Sequence, residues 1–144
     1  MRFMIIVKAN KDSEAGVMPS AADLIEMNKY NEELIKAGVM LAGEGLHASS
    51  KGALVKFSGD KRTVVDGPFS EAKELIAGFW IIQVRSKEEA LEWARRVPFK
   101  EGELEVRQVA ETADFAPQLE GSEEGRKVLK DEAEFRQRSG MASA

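Results

Sequence analysis

Ile76-Ala77-Gly78-Phe79-Trp80-Ile81-Ile82-Gln83-Val84 carries a single polar side chain, Gln83, in nine residues. Read as a strand, it places Phe79 and Ile81 on one side and Trp80, Ile82 and Val84 on the other. Both faces therefore need cover, so this strand belongs inside a sheet. The rest of the chain is arranged around it.

Before it, Phe3 to Val7 is continuously apolar, which predicts a second buried strand over residues 2–9. A loop over residues 10–19 follows, with Gly16 and Pro19. Ser20, three residues ahead of Asp23, has the spacing of a helix N-cap. Leu24, Met27, Leu34 and Ile35 then fall near one helical stripe, and Gly38 suits the stop. Val39 to Leu41 reads as a strand running into Gly43-Glu44-Gly45, where the glycines suggest an irregular backbone. Ala53 to Phe57 and Arg62 to Val65 predict a hairpin about Ser58-Gly59-Asp60-Lys61, closed by the stiff Asp66-Gly67-Pro68 turn.

After the central strand, Ser86-Lys87-Glu88-Glu89 opens a helix that Pro98 ends, and Leu104 to Val109 alternates as a final strand. The order strand, helix, strand, hairpin, strand, helix, strand is an α+β plan. It is a ferredoxin-like split βαβ sheet with an inserted hairpin and both helices on one face. The uncovered face of the two most apolar strands predicts a homodimer that stacks sheet on sheet. Residues 1–115 make up this domain. Residues 116–144 form a charged, partly helical arm, frayed from Gly140 to Ala144.

Composition narrows the function. With 21 basic against 25 acidic side chains and a net charge of −4, there is no basic stripe, which argues against nucleic acid as a partner. No cysteine is present, so disulfides, thiolate catalysis and cysteine-based metal sites are excluded. A lone histidine leaves only carboxylates to complete a metal site, so neither a metal nor a cofactor is expected. Gly43-Glu44-Gly45 lacks the third glycine and the following helix of a dinucleotide-binding turn. The apolar start is too short for a signal peptide, and no segment reaches transmembrane length, so the expected location is cytoplasmic with no membrane partner.

Three segments carry a resemblance: Gly43-Glu44-Gly45-Leu46-His47, then Val65-Asp66-Gly67-Pro68-Phe69-Ser70-Glu71-Ala72-Lys73-Glu74, then Gly78-Phe79-Trp80-Ile81-Ile82. In this order they resemble the YCII-related family, in its DGPF branch, over Met1 to Phe115. The resemblance implies a ferredoxin-like fold that assembles as a dimeric α+β barrel. It also implies a site where a His and an Asp approach each other, mapped by motif onto His47 and Asp66. One related member is a dehydrochlorinase acting on a chlorinated hydroxyquinol, and some family domains are fused to sigma factors or lie beside them. Where many relatives carry Pro after the Leu-His pair, this chain has Ala48, which leaves that loop less constrained.

His47 is the only imidazole, so any histidine chemistry must use it. With Asp66 accepting its Nδ1 proton, the tautomer is fixed and Nε2 is left for general acid–base work. Two plainer readings stand beside this one. His47 can be a loop histidine bonded to water or backbone, and Asp66 can serve its own turn as an Asx residue. Glu44 and Ser49 are the further candidates for contact with a small-molecule ligand. Glu71, Lys73 and Glu74 read as a charged surface, and Phe57, Phe79 and Trp80 as core or interface. Two functions fit. One is a cofactor-independent lyase or isomerase acting on a compact cyclic or aromatic substrate through His47 and Asp66. The other is a non-catalytic dimeric module that binds a small ligand or a regulatory partner such as a sigma factor.

Overall fold

The computed structural model describes residues 1–71 and 74–141. The expectations for Lys73 and for the last residues of the frayed end lie outside them. Among the described residues six strands form two sheets. The larger has the order β2-β5-β1-β6, made of β2 (Met40–Gly45), β5 (Ile76–Gln83), β1 (Arg2–Lys8) and β6 (Leu104–Gln108). Every neighbour pair in it is antiparallel. The smaller is the hairpin of β3 (Ala53–Ser58) and β4 (Lys61–Asp66).

The two apolar stretches singled out in the sequence pair with each other at the centre of the sheet. Phe3 lies opposite Ile82, and Ile5 opposite Trp80. This parity puts Phe3, Ile5, Trp80, Ile82 and Val106 on one face. Helices α2 (Ala21–Lys36) and α3 (Lys87–Arg95) cover that face with Tyr30, Leu34 and Ala90, which closes the main core. Both helices begin as their sequences require. Ser20 Oγ accepts from the Asp23 amide at 3.1 Å, and Ser86 Oγ accepts from the Glu89 amide at 3.1 Å.

One tyrosine ties the helical layer together. Tyr30 stands edge-on to Trp80, with ring centroids 5.4 Å apart, and its hydroxyl donates to the Trp93 carbonyl at 2.8 Å. Trp80 Nε1 donates in turn to Asn31 Oδ1 at 2.9 Å. Burial pushes the Tyr30 phenol up to about 12. A raised folded value means the contribution is whole below the ordinary tyrosine pKa and is lost as pH climbs through the folded one. Tyr30→Phe should lower stability by about 1 kcal/mol, the net worth of one hydrogen bond. It should also flatten the decline in urea midpoint measured between neutral and strongly alkaline pH.

The opposite face of the sheet is partly open. Ile6 is buried there, while Met4, Phe79 and Ile81 on the same side are only half-buried. Ion pairs flank this apolar centre. Lys8 Nζ meets Glu105 Oε2 at 3.4 Å, and Arg2 clasps Glu111 through two bonds of 2.7 and 2.8 Å. The Arg2–Glu111 pair ties the first strand to the N-cap of α4 (Thr112–Leu119), which with α5 (Glu123–Ser139) makes up a helical arm that begins at residue 112, ahead of the expected boundary at 116. The two arm helices pack closely at Gly125, where an added Cβ would meet the Leu119 carbonyl oxygen at 1.9 Å.

Two features differ from the reading of the sequence. The expected loop over residues 10–19 contains a one-turn helix, α1 (Lys11–Glu14). Its cause is local: Asn10 Oδ1 accepts from the Ser13 amide, while Ser13 Oγ accepts from the Asn10 amide. The hairpin, in turn, has no broad packing against another strand or helix among the described residues. Every residue of β3 and β4 is exposed, and Phe57, read from sequence as core or interface, is 71% exposed and so is no part of this chain's core. Arg62 lies 4.6 Å above the Phe57 ring, a cation–π contact in place of a core.

Candidate functional site

The 3₁₀ turn Ser49–Lys51, a few residues after β2, meets the turn that follows β4. Asp66 closes the hairpin ladder opposite Ala53, and a cis Gly67–Pro68 peptide follows it. The turn then folds onto the loop that follows β2. The Gly67 amide donates to the Gly52 carbonyl at 2.9 Å, and the Phe69 amide donates to Ser49 Oγ at 2.9 Å. Gly67 is required by proximity, since a Cβ there would sit 1.8 Å from the Ser49 carbonyl oxygen. Gly67→Ala should therefore force the turn off the loop at a cost of about 1–3 kcal/mol, the usual size of an overpacking defect. Thermal unfolding, together with amide exchange at Gly67 and Phe69, measures both effects.

Ser49 is held from its other side by a residue that the sequence reading did not select. Glu14 on α1 accepts from the Ser49 amide with Oε1 at 3.0 Å and from the Ser49 hydroxyl with Oε2 at 2.5 Å. The hydroxyl proton, and then the amide, hold the Glu14 carboxyl below the usual glutamate range. A serine hydroxyl has one proton and two lone pairs. Ser49 spends the proton on Glu14 and one lone pair on Phe69, so a single acceptor position is left for a ligand.

His47 lies two residues before Ser49 and is exposed, as is Asp66. The fold brings their segments together, but no hydrogen bond joins the two side chains, and neither bonds another described side chain. Glu44 sits on β2 opposite Phe79, exposed, on the half-open face of the sheet. Asp66 shares a face of the hairpin with Val55, Val64 and Phe57, so an apolar strip runs away from its carboxylate. A separate cleft of about 330 Å³ lies between α3 and β6, lined by Leu91, Val97, Phe99 and Leu104 among others. It is at the far edge of the sheet from β2, and none of the four candidate residues lines it. Among the described residues no cluster of three His, Cys, Asp or Glu side chains is placed to hold a metal ion. No helix among them is long and apolar enough to cross a membrane.

The second depressed carboxyl is Glu111. Its hydrogen bonds from Arg2 lower it against the opposing effect of burial, and the charges of Arg2, Arg136 and the N-terminus add to this. Glu14 and Glu111 thus contribute stability that is present above the ordinary glutamate pKa and lost as pH falls through their depressed folded values. Urea midpoints should drop on acidification below the ordinary glutamate range. The drop should be shallower in Glu111→Gln, which is already weakened at neutral pH.

A four-stranded antiparallel sheet in the order β2-β5-β1-β6, with two helices on one face, defines a ferredoxin-like α+β domain. The chain belongs to the YCII-related domain family, which matches residues 1–113. An uncharacterised protein of Rhizobium meliloti (strain 1021) is 31% identical over 70 residues, 49% of this chain and 56% of that protein. The chain thus matches little more than half the length of this relative. Among solved structures, the 5-chloro-2-hydroxyhydroquinone dehydrochlorinase of Burkholderia phenoliruptrix AC1100, in complex with 2,5-dihydroxybenzoquinone, aligns with a TM-score of 0.43. The identity is 15%, over 79% of this chain and 98% of that one.

Proposed function

We propose that the protein is an acid–base catalyst of the lyase or isomerase type, acting on a compact cyclic or aromatic molecule. His47 moves the proton and Asp66 orients its ring. One observation carries this reading: the amides of Gly67 and Phe69 tie the Asp66 turn to the loop that bears His47. Two polar side chains of matching chemistry thereby lie on segments that these two bonds join. The Nε2 atom takes a proton from a hydroxyl or from a carbon beside a carbonyl. The electron pair left behind forms the new double bond, and the leaving group departs with its own pair. Proton transfer of this kind asks no cofactor of the protein.

The reading includes a homodimer, formed through the half-open sheet face of Met4, Phe79 and Ile81. That face supplies an apolar centre between ion pairs, the layout of a self-complementary interface. Sedimentation at micromolar concentration should give a dimer, and a monomer only would remove this part.

Assays begin with chlorinated hydroxyhydroquinones, the substrate class of the Burkholderia dehydrochlorinase, and extend to other small quinols. Turnover that disappears in His47→Ala supports the proposal. Equal turnover in that variant, or none by the wild type across the panel, overturns it.

A further inference from the structure

We propose that Glu14 is the positioning residue of this site, acting through Ser49 to hold the His47 loop against the Asp66 turn. The inference rests on the functional reading above and adds to it a residue outside the motifs. Glu14 reaches across 35 positions in sequence to chelate one residue, one carboxylate oxygen on the Ser49 amide and the other on its hydroxyl. With its proton turned to Glu14, Ser49 Oγ can only accept, and it accepts from the Phe69 amide, three residues beyond Asp66. A chain of three hydrogen bonds therefore runs from α1 through the His47 loop into the Asp66 turn.

Glu14 is itself fixed. Its amide donates to the Asn10 carbonyl at 3.0 Å, within the turn that the Asn10–Ser13 capping box closes. Ionised, the carboxylate offers only acceptors, which is what the amide and hydroxyl of Ser49 require. A glutamine in its place can accept from only one of the two donors, and its NH₂ group would compete with the Phe69 amide for the Ser49 hydroxyl oxygen. An aspartate falls one methylene short.

The test uses the full chain and needs no substrate. In Glu14→Gln and in Ser49→Ala, the Phe69 amide should exchange with solvent about tenfold faster or more, since about 1.4 kcal/mol of protection is a factor of ten. The His47 ring resonances should move in both variants. Ser49→Thr keeps the hydroxyl and should restore the wild-type exchange rate to within about twofold. Amides of the β1–β5 ladder are the internal control and should keep their protection throughout. The proposal is overturned if Glu14→Gln leaves Phe69 exchange and the His47 resonances unchanged, whatever Ser49→Ala does, because that variant removes the Phe69 acceptor directly. It is equally overturned if the β1–β5 amides accelerate in step with Phe69, because Glu14 would then support the whole fold and not the site. Where turnover is measurable, Glu14→Gln should lower kcat about tenfold with little change in KM, the mark of a misplaced catalytic group. A wild-type protein without turnover but with these exchange changes counts against the catalytic reading alone and leaves the positioning role standing.

Discussion

His47→Ala should reduce turnover by about 10²- to 10⁴-fold, the range over which a positioned acid–base group contributes. No other imidazole exists in the chain to take over the proton. The fold should not suffer, since the ring is exposed and bonds no described side chain. The unfolding midpoint should therefore stay within about 0.5 kcal/mol of wild type, as for most surface substitutions. That separation makes the variant informative, because lost activity cannot be blamed on lost structure. Asp66→Asn should have a smaller effect on kcat. An orienting partner fixes the ring's tautomer but does not itself transfer the proton. Simultaneous replacement of both residues should do little more than His47→Ala alone, as expected of groups that act as a unit.

Ile82→Ala should destabilise the protein by about 3–4 kcal/mol, within the range measured for large-to-small changes in packed cores. Ile82 is 0% exposed and lies near the C-terminal end of β5, opposite Phe3 on one neighbouring strand and Met40 on the other. Helix α2 closes over it with Leu34, also 0% exposed. Strands on both sides hold the backbone, so the cavity has little chance to collapse. For a chain of this size the melting temperature should fall by about 8–12 °C. Phe57→Ala is the control. It removes a larger side chain, but one that stands 71% exposed on the hairpin. In the isolated chain it should change stability by no more than about 0.5 kcal/mol. A Phe57→Ala penalty that grows with protein concentration would indicate that a second copy covers the hairpin.

The contrast between Ile82 and Phe57 also marks how far the sequence could be read. Ile76 to Val84 announced a central strand because strand parity depends only on neighbouring residues, and Ser20 and Ser86 announced their helices through caps three residues long. The hairpin was legible by the same local rules. Whether its apolar residues were buried was not, because burial is set by what packs above a strand, and nothing in β3 or β4 encodes that. The motif segments gave His47 and Asp66 as candidates, and the loop around them added Glu44 and Ser49. They could not give the mutual geometry of His47 and Asp66, which depends on side-chain direction in two loops. Glu14 was invisible for a different reason. It lies in a stretch read as loop, 35 residues from Ser49, and an isolated glutamate carries no pattern. The four-residue helix that aims it is too short for periodicity, although the Asn10 and Ser13 pair was a usable cap signal.

The position of β1 has a consequence for how the protein is made. The earliest strand in the chain lies between the two latest, with Phe3 opposite both Ile82 and Gln108. During synthesis its apolar residues must wait for about seventy further residues to emerge before β5 exists, and about a hundred before β6. Helix α2 can form in that interval, but no sheet is yet there to receive it. Pairings of such long range make folding slow for a domain of this size. The growing chain therefore keeps Phe3 to Val7 open to solvent, or to a chaperone, until β5 and β6 arrive.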